Sequence, residues 1–380
     1  MTATPKEPRT SAAISTREAD GIDPIDLSVA LRVFDELEHL PTDHPDSVAI
    51  RRATAHLFKS VKRRRRKERR AQVVANDTAV ISATATGSPD RIDDETRGLP
   101  LTSATAGAAA GTLLRPHACY ICKERYSSVD AFYHQLCPPC ATTNRARRDA
   151  RTDLAGRRAL LTGGRAKIGM YIALRLLRDG AETTITTRFP NDASRRFMLM
   201  PDSSDWLDRL HIVGIDLRDP AQVEVLADSV AQKGPLDILI NNAAQTVRRS
   251  RRSYALLAAA EEEPLPAGKA PEVLRLGRTS DAHPMAIMGA VTGPTEHHPV
   301  IGAAALTTAA LAGGSSSLTR QLAGTAIDAG GLLPDLQPHN SWTQKVQDID
   351  TLELLEVQLA NATAPFILIS RLRPSMAASP

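Results

Sequence analysis

Apolar and polar positions alternate in a regular way from residue 151 onward. Short apolar or β-branched runs predict four strands, at 159–162, 182–187, 210–215 and 236–240. Amphipathic helical periodicity separates them, with helices predicted at 168–179 and 222–232. A strand–helix rhythm of this kind is typical of parallel strands covered by helices on both faces. The pattern therefore predicts an α/β domain with a Rossmann-like, doubly wound parallel sheet, which occupies residues 151–246.

The remaining segments follow other patterns. We expect residues 1–72 to be helical, basic and partly disordered, and the Ala/Thr/Gly-rich residues 73–115 to form a linker. Residues 247–340 interrupt the α/β pattern with Pro-, Gly- and Ala-rich sequence and are interpreted as a low-complexity insertion. Helical periodicity returns in residues 341–380. It places these apolar residues on one face of a helix: Leu352, Leu355, Leu359 and Phe366.

Composition adds expectations about the surroundings of the protein. Aromatic residues make up 3% of the chain, and 25 Pro and 22 Gly suggest that part of it is not tightly packed. No run reaches 18 apolar residues, so no membrane span is expected. The polar start, Met1 to Ala13, lacks the apolar core of a signal peptide. We therefore expect a soluble, cytoplasmic protein with no membrane partner.

All four cysteines lie in the segment 116–150. They form two pairs, Cys119-x2-Cys122 and Cys137-x2-Cys140, separated by 14 residues. A two-residue spacer brings two thiolates to one metal, so this spacing predicts a zinc-ribbon-like module. Four protein ligands leave no open position, which favours a structural zinc. The alternative is a set of free or redox-active cysteines, and we interpret the neighbouring His117 and His134 as bystanders.

A glycine-bearing turn follows the first predicted strand. Residues 160–169 read Leu-Leu-Thr-Gly-Gly-Arg-Ala-Lys-Ile-Gly and run directly into a helix. A parallel strand followed by such a turn aims free helix amides at a pyrophosphate. The alternative is a plain strand–helix turn. The strands and turns downstream favour a nucleotide site.

This turn resembles the Thr-Gly-x3-Gly-x-Gly pattern of the short-chain dehydrogenase/reductase family. Thr162, Gly163 and Gly169 match it, while Lys167 replaces the middle glycine. The resemblance implies that the cofactor is held by the residues of this turn, namely Thr162, Gly163, Arg165, Lys167, Ile168 and Gly169.

Further positions match the family in order along the chain. Asp216-Leu217 follows the third strand, where the family's Asp holds the adenine edge and the next side chain packs on the ring. Asn241-Asn242-Ala243-Ala244 is similar to the family's Asn-Asn-Ala-Gly turn, with Ala244 for the last glycine. Asn361 lies where the family's Asn holds a water in the proton relay, on a helix that commonly packs against a second subunit. The resemblance thus implies a possible homo-oligomer.

The choice between NADP and NAD rests on charge. An NAD site places an acidic residue at the end of the second strand, for the ribose hydroxyls. That strand ends in Thr186-Thr187-Arg188, with no carboxylate. Arg188 and Arg165 are suited to pair with a 2′-phosphate, so we expect NADP rather than NAD. The alternative is that both arginines are solvated surface residues.

The family's catalytic residues are not matched. The resemblance implies a Ser, a Tyr acting as acid/base, and a Lys four residues after the Tyr. They are expected beyond Asn361, past Pro380, and none of the five tyrosines is followed by a Lys at that spacing. The apolar strand 236–240 would also lack a neighbour on one side, an aggregation-prone edge. We expect a truncated version of a longer enzyme or, less so, a chain completed by another subunit.

Three functions remain open on these grounds. The first is an NADP-dependent oxidoreductase that transfers a hydride between the cofactor and a carbonyl or alcohol substrate. The second is a non-catalytic nucleotide-binding or scaffold protein whose zinc module binds a partner. The third is a nucleic-acid-binding protein that uses the basic runs Lys62–Arg70 and Asn144–Arg148. The net charge of +4 does not favour nucleic acid, and we interpret the runs as solvated basic faces.

Overall fold

A computed structural model of the chain describes most residues in two compact units. The described residues are 21–89, 101–245, 249, 251–276, 302–311, 320, 324, 326–334 and 343–380. The first unit covers residues 1–75 and the second covers 76–380. Residues 1–20, at the start of the segment expected to be partly disordered, lie outside the described residues.

The first unit is helical, as expected for residues 1–72. Helix α1 spans Pro24–Glu38, and the Asp23 carboxylate caps it by accepting a hydrogen bond of 2.8 Å from the Ile25 amide. Helix α2 spans Pro45–Ser82. None of the residues of α1 is buried.

The cysteine segment forms a small α/β module. Strands β1 (Ala109–Ala118) and β2 (Arg125–Asp130) make an antiparallel hairpin, and α3 spans Pro138–Asp149. Its core consists of Leu113, Cys119, Tyr126, Val129, Leu136, Cys137 and Ala141. Val80 and Ile81, near the end of α2, pack against this core.

The prediction of a linker at residues 73–115 is therefore wrong for the described part of that range. The last turns of α2 and most of β1 lie there, and the Asp77 carboxylate accepts hydrogen bonds from the amides of Leu114 and Arg115 at 2.7 and 3.1 Å. Thr84 and Ala85 are buried. Small side chains resemble a linker in composition, but they allow this backbone to pack closely against the module.

The second unit contains a parallel sheet with helices between its strands. The elements in chain order are β3 (Arg158–Thr162), α4 (Lys167–Arg178), β4 (Glu182–Thr187), α5 (Pro190–Met198), β5 (Leu210–Gly214), α6 (Pro220–Gln232) and β6 (Ile238–Asn241). The strand order is β6-β3-β4-β5-β7, and every pairing is parallel. The predicted α/β fold class is confirmed.

Side-chain alternation along the strands builds a core on each face of the sheet. Leu161 and Ile212 pack with α4 and α5 on one face. Their neighbours Leu160 and Val213 pack with α6 and the last helix of the chain on the other. Because successive strand residues point to opposite faces, one apolar run can fill both layers. Helices on both faces make the sheet doubly wound.

The expected insertion at 247–340 contains regular elements where the structure describes it. They are α7 (Ala255–Glu262), β7 (Glu272–Arg275) and α8 (Ala303–Leu311). Strand β7 pairs with β5, opposite Ile212 through Val273, so it extends the sheet at the edge away from β6. A regular strand thus lies in the segment that was interpreted as a low-complexity insertion. A four-residue strand between Pro- and Gly-rich stretches gives too short a pattern to recognise.

The C-terminal helices bury a different face from the one expected. Helix α9 spans Thr351–Gln358, a π-helical turn covers Leu359–Thr363, and α10 spans Ala364–Ala377. The buried residues recur at every fourth position: Glu356, Ala360, Ala364, Leu368 and Leu372. Two residues of the expected apolar face, Leu355 and Phe366, are 52% and 71% exposed. Glu356 is buried because it is paired with an arginine, so the pattern of apolar and polar residues predicted the wrong inner face.

One helical stretch, Thr351–Ala377, is long and apolar enough by composition to cross a membrane, contrary to the sequence-based expectation. Such a stretch is weak evidence, since core helices meet the same criterion. Here Ala364, Leu368 and Leu372 pack on α6 and the sheet. That packing accounts for the apolar character of the inner face.

Strand β6 lies at the opposite edge of the sheet and pairs with β3. Among the described residues, no strand pairs with its other side. Ile238, Leu239 and Ile240 are each half-buried, unlike Leu160 and Leu161 of β3, which are fully buried. The open edge expected from the sequence is therefore present in the described part of the chain.

Candidate nucleotide site and cysteine centre

The candidate nucleotide site lies at the carboxyl ends of β3 and β6. Strand β3 is flanked by β4 on one side and β6 on the other, so the chain order reverses between β3 and β6. Ligands of open parallel sheets bind in the crevice at such a reversal. The glycine turn after β3 and the Asn241-Asn242 turn after β6 both border this crevice.

Hydrogen bonds join the two turns. The Thr162 hydroxyl accepts a bond of 3.0 Å from the Ala243 amide. The Asn242 side-chain amide donates to the carbonyl oxygens of Thr162 and Gly163, at 3.1 and 3.2 Å. Sequence analysis placed these residues in one site, and the structure brings them into direct contact. Asn241 is exposed at the end of β6.

Two glycines of the turn occupy positions that exclude a side chain. Gly163 has φ 73°, and a Cβ there would lie 3.0 Å from Ala243. A Cβ on Gly169 would lie 2.0 Å from the Gly163 carbonyl oxygen and 2.8 Å from Asn242 Nδ2. Gly169 thus lets the first turn of α4 approach the end of β3, the part that the last glycine plays in dinucleotide-binding turns.

Lys167 explains how the chain tolerates the loss of the middle glycine. Its φ is 55°, in the left-handed region that favours glycine. Its Nζ makes an ion pair of 3.0 Å with Asp328 Oδ2. The neighbouring Ile168 is 71% exposed. The turn therefore keeps a glycine-like path and gains a positive charge.

Arg165 is engaged by a carboxylate that sequence analysis missed. Its Nη1 is ion-paired with Asp192, and the same Asp192 oxygen accepts from Arg196 Nε at 2.6 Å. Asp192 is fully buried; burial raises its pKa, but the two guanidinium groups outweigh this and hold the pKa below its usual range. A Pro at 190 followed by Asp192 is a helix-start signal that would have located α5.

A segment of the insertion crosses the glycine turn, and we call residues 326–334 the cover segment. Arg165 Nη1 donates to the Gly330 carbonyl at 2.9 Å, and Arg196 Nη1 donates to that of Ala329 at 2.8 Å. The Asp328 carboxylate accepts from the amides of Gly330 and Leu332, both at 2.9 Å. Burial raises the pKa of Asp328, but the Leu332 amide and Lys167 lower it by more, so the pKa lies below its usual range.

Arg188 lies exposed at the end of β4, where sequence analysis placed it. Its guanidinium lies 4.9 Å from the centre of the Tyr254 ring and 5.6 Å from that of Phe189. Nη2 donates a hydrogen bond of 3.1 Å to the Tyr254 hydroxyl. The two rings stack with centroids 6.0 Å apart. Tyr254 comes from the expected insertion, and no local pattern points to its role.

Asp216 and Leu217 follow β5, as expected. The Asp216 carboxylate accepts from Arg218 Nε at 3.0 Å and from Nη2 at 2.6 Å. Arg218 Nη1 donates a hydrogen bond of 2.9 Å to the buried Glu356. Burial lowers the pKa of Arg218, but the carboxylates of Asp216 and Glu356 raise it by more. Asp216 is thus held at the strand end by a network that reaches α9. Leu217 packs against the core of this face.

Asn361 lies in the π-helical turn and reaches the site through Gln245. Its Oδ1 accepts from the Gln245 amide at 2.7 Å, and its Nδ2 donates to the Gln245 carbonyl at 2.9 Å. These bonds hold the chain just after the Asn241-Asn242 turn. The proton-relay role of Asn361 stays a prediction.

The sulfur atoms of the four cysteines lie close together. All Sγ atoms lie within 4.8 Å of one another, with Cys122 and Cys137 at 3.6 Å, and no disulfide joins them. Zinc–sulfur bonds of about 2.3 Å in a tetrahedron place sulfurs about 3.8 Å apart, so the donor set fits zinc.

The titration of the thiols agrees with a cation site. Burial raises the pKa of Cys119, but the amides of Cys137, Cys122 and Ile121 lower it to about 6. The neighbouring Cys137 thiol, together with burial, raises the pKa of Cys140 to about 12. Sulfurs this close need a cation before all four ionise.

His134, Arg145 and Arg148, which lie beside the cysteines, have structural contacts. His134 Nδ1 lies 2.8 Å from the Thr86 hydroxyl. Arg145 Nη2 lies 2.7 Å from both oxygens of Asp130, and the Arg148 guanidinium lies 4.8 Å from the Phe132 ring centre. Among the described residues, the candidate metal ligands are the four cysteines alone. The basic run after the module therefore contributes to the packing of the module itself.

Comparison with known proteins shows a similarity over part of the chain. The family model for short chain dehydrogenases matches residues 157–260. A protein of Acanthamoeba polyphaga mimivirus, R665, is 39% identical over 143 residues, covering 36% of this chain and 30% of its own. A probable oxidoreductase of Streptomyces lividans is 41% identical over 91 residues, covering 24% of this chain and 29% of its own.

Among solved structures, a metagenomic short-chain oxidoreductase in complex with NADP aligns with 15% identity and a TM-score of 0.32. The alignment covers 59% of this chain and 58% of that one. The chain spans about 30% of the length of the curated relatives it matches. The match at 157–260 covers β3 through α7, including the glycine turn and Asn241-Asn242. Over this segment, the chain is similar to the short chain dehydrogenases.

Proposed function

We propose that the chain binds NADP at the carboxyl ends of β3 and β6. We further propose that it acts as an oxidoreductase on a carbonyl or alcohol substrate. The carrying observation is the junction of the two turns, where Thr162 and Asn242 bond across the crevice and Gly169 allows α4 to approach. When bound, the nicotinamide would supply or accept the hydride. The residues of this chain hold and orient the dinucleotide.

The start of α4 supports phosphate binding. Its N-cap residue, Ala166, offers no side-chain hydrogen bond, so the first-turn amides lack the usual capping oxygen. Helix N-termini carry partial positive charge and bind phosphate oxygens through such amides. Lys167 adds a full charge at the same turn. These groups fit a pyrophosphate.

The cover segment bears on how that site is reached. Asp328 already supplies a carboxylate to Lys167 at 3.0 Å, and the Gly330 carbonyl accepts from Arg165. A phosphate beside Lys167 would meet the like charge of Asp328. Binding therefore requires Lys167 to exchange its partner, and the cover segment competes with the cofactor for this turn.

Arg188 supports the choice of NADP over NAD. It is exposed at the end of β4, and two aromatic rings restrict its guanidinium, so less freedom is lost when it pairs with a 2′-phosphate. The nearby carboxylate of Asp192 is buried between Arg165 and Arg196, so it is not placed to accept hydrogen bonds from the ribose hydroxyls of NAD. Since Arg165 is engaged there, the preference rests on Arg188.

Titration of the full chain tests this proposal. We expect saturable NADPH binding, followed by nicotinamide fluorescence and thermal stability, with NADH binding more weakly. Arg188→Ala should weaken NADPH binding at least ten-fold, because a charge-assisted contact contributes roughly 1.5–3 kcal/mol, and should leave NADH unchanged. Arg147→Ala, an exposed arginine on α3, is the matched control. Equal affinity for both dinucleotides would refute the NADP assignment, and binding of neither would refute the site.

We also propose that the cysteine centre holds one structural zinc. Four thiolates complete a tetrahedron, so this metal has no open position for a substrate. Its contribution would be to join the β1–β2 hairpin to the start of α3. Homo-oligomerisation through the helix of Asn361 stays a prediction, as do the catalytic Tyr and Lys.

A further inference from the structure

The two basic runs of the chain differ in what surrounds them. Two of the three arginines of the run after the cysteine module, Arg145 and Arg148, contact Asp130 and Phe132. The run Lys62–Arg70 lies within the continuous helix α2, and each of its nine residues is exposed. Nine consecutive helical residues make two and a half turns, so they cover every side of the helix. Folding of this segment does not use these charges for packing.

The charge on this stretch is large and uncompensated. Of the twenty residues 51–70, eleven are Lys or Arg and one, Glu68, is acidic, whereas the whole chain carries +4. Glu68 pairs with Arg64 at 3.9 Å. The other pairs at i,i+4 within the run, such as Lys62–Arg66 and Arg65–Arg69, are like charges that destabilise a helix. A polyanion along this helix would relieve that repulsion.

The spacing of the charges fits a nucleic-acid duplex. Eight cations over nine helical residues rise about 13.5 Å, or roughly one charge per 1.7 Å. A DNA duplex carries about one phosphate charge per 1.7 Å of its axis. An α-helix of about 10–12 Å diameter also fits a major groove about 12 Å wide. The run has no Asn or Gln, the residues that read adenine, so its base readout would be limited to guanine, whereas each Lys and Arg can pair with a phosphate of any sequence.

A membrane surface fits this helix less well. Interfacial helices place basic residues on one face and a continuous apolar stripe on the other. Here the cations surround the helix, and the run contains no apolar residue. We propose that the exposed basic run Lys62–Arg70 of α2 is a sequence-independent docking surface for double-stranded nucleic acid.

Binding of the full 380-residue chain to a fluorescent 20-base-pair DNA duplex tests the proposal, measured by anisotropy at 50 to 200 mM KCl. Six or more phosphate contacts predict an affinity loss of about a thousand-fold or more over that range. The triple variant Arg63→Ala/Arg65→Ala/Arg66→Ala should lower the salt slope by about three and weaken binding at least ten-fold. Alanine keeps the helix, which circular dichroism verifies.

Two controls separate charge at this place from charge in general. Arg32→Ala/Lys269→Ala/Arg373→Ala removes three exposed charges from other elements and should leave the slope unchanged. Arg63→Lys/Arg65→Lys/Arg66→Lys keeps the charge and should retain affinity within about two-fold. Salt-independent binding, no binding at 50 mM KCl, or an unchanged slope in the alanine variant would overturn the proposal. Tighter binding to phosphatidylserine vesicles than to the duplex would overturn it as well.

Discussion

The cysteine module and the nucleotide site belong to the same compact unit, but they gather their groups in opposite ways. The four sulfurs come from one segment, Cys119 to Cys140, closed by a hairpin and a helix start. The nucleotide site draws on residues from Thr162 to Asn361, joined by hydrogen bonds across the chain. One is specified by local spacing and the other by strand pairing and long-range contacts.

The difference has an energetic side. Metal binding concentrates its free energy in four bonds, so losing one ligand damages the whole module. The nucleotide site distributes its free energy over several modest hydrogen bonds and close contacts, each contributing about 1 kcal/mol. Single changes there should therefore give graded effects. Substitutions at the two sites should therefore differ in the size of their effects.

Cys119→Ser should abolish the metal centre. Cys119 is fully buried in the module core, and structural zinc contributes about 10–16 kcal/mol in small zinc-binding peptides. We expect zinc content, measured by elemental mass spectrometry, to fall from one equivalent to near zero, with local unfolding of the module. His117→Ala is the control and should retain zinc. A full equivalent in Cys119→Ser would contradict the four-thiolate site.

Gly169→Ala should break the nucleotide site and leave zinc bound. The new methyl group would lie 2.0 Å from the Gly163 carbonyl, so backbone must move, at a cost of about 3 kcal/mol. We expect NADPH affinity to fall more than ten-fold, by fluorescence titration. The matched change Gly156→Ala, at φ 75° with nothing within 4 Å, should cost about 1–2 kcal/mol and spare NADPH binding. Equal effects of the two would mean that the close approach is unimportant.

Asp328→Asn should strengthen NADPH binding, because it removes the carboxylate that competes for Lys167. The Lys167 side chain is 52% exposed, so the ion pair contributes at most about 1 kcal/mol, and we expect up to about a five-fold gain. Asp202→Asn breaks an ion pair of 2.7 Å with Arg178, which lies outside the glycine turn, and should leave affinity unchanged. Weaker NADPH binding in Asp328→Asn would show that the cover segment supports the site.

Substitution of Asp237 should have the smallest effect of these changes, and the effect should appear in how the stability of the protein depends on pH. The Arg158 amide, Ser379 and Arg157 lower its pKa to about 2. A depressed folded-state pKa stabilises the protein above about pH 4, and this contribution is lost as pH falls towards 2. We therefore expect Asp237→Asn to melt below the wild type at pH 7 and to converge with it near pH 2. A constant difference in melting temperature would rule out this titration.

Short-range features were predictable from the sequence. The strands and the first helix of the α/β region begin and end within about two residues of their expected limits, because apolar alternation and glycine turns act locally. The same holds for the glycine turn and the cysteine pairs. Helix α5, whose Pro190 and Asp192 form an ordinary helix start, was missed for lack of an apolar pattern. Strand β7 was missed because four residues carry too little periodicity.

Contacts between distant segments were not predictable. Arg165 was expected to face a phosphate, but it pairs with Asp192 and the cover segment. Helices α9 and α10 bury Glu356 rather than Leu355, because Arg218 compensates the buried charge. No sequence motif identifies Asp192 as the partner of Arg165 or Arg218 as the partner of Glu356. Thr84 and Ala85, in the supposed linker, are buried and pack beside the cysteine module, although their small side chains looked unstructured by composition.

Local sequence was enough to specify the strands of a parallel sheet, the glycine turn after β3 and four cysteines at chelating spacing. These depend on neighbours within a few residues, where backbone sterics and side-chain period act directly. Tertiary structure alone decided which edge β7 extends, which face of the last helices is buried, and that Asp328 lies on Lys167. Those outcomes depend on charge compensation and packing between residues far apart in the chain, whose free energies exist only after the sheet has brought them together.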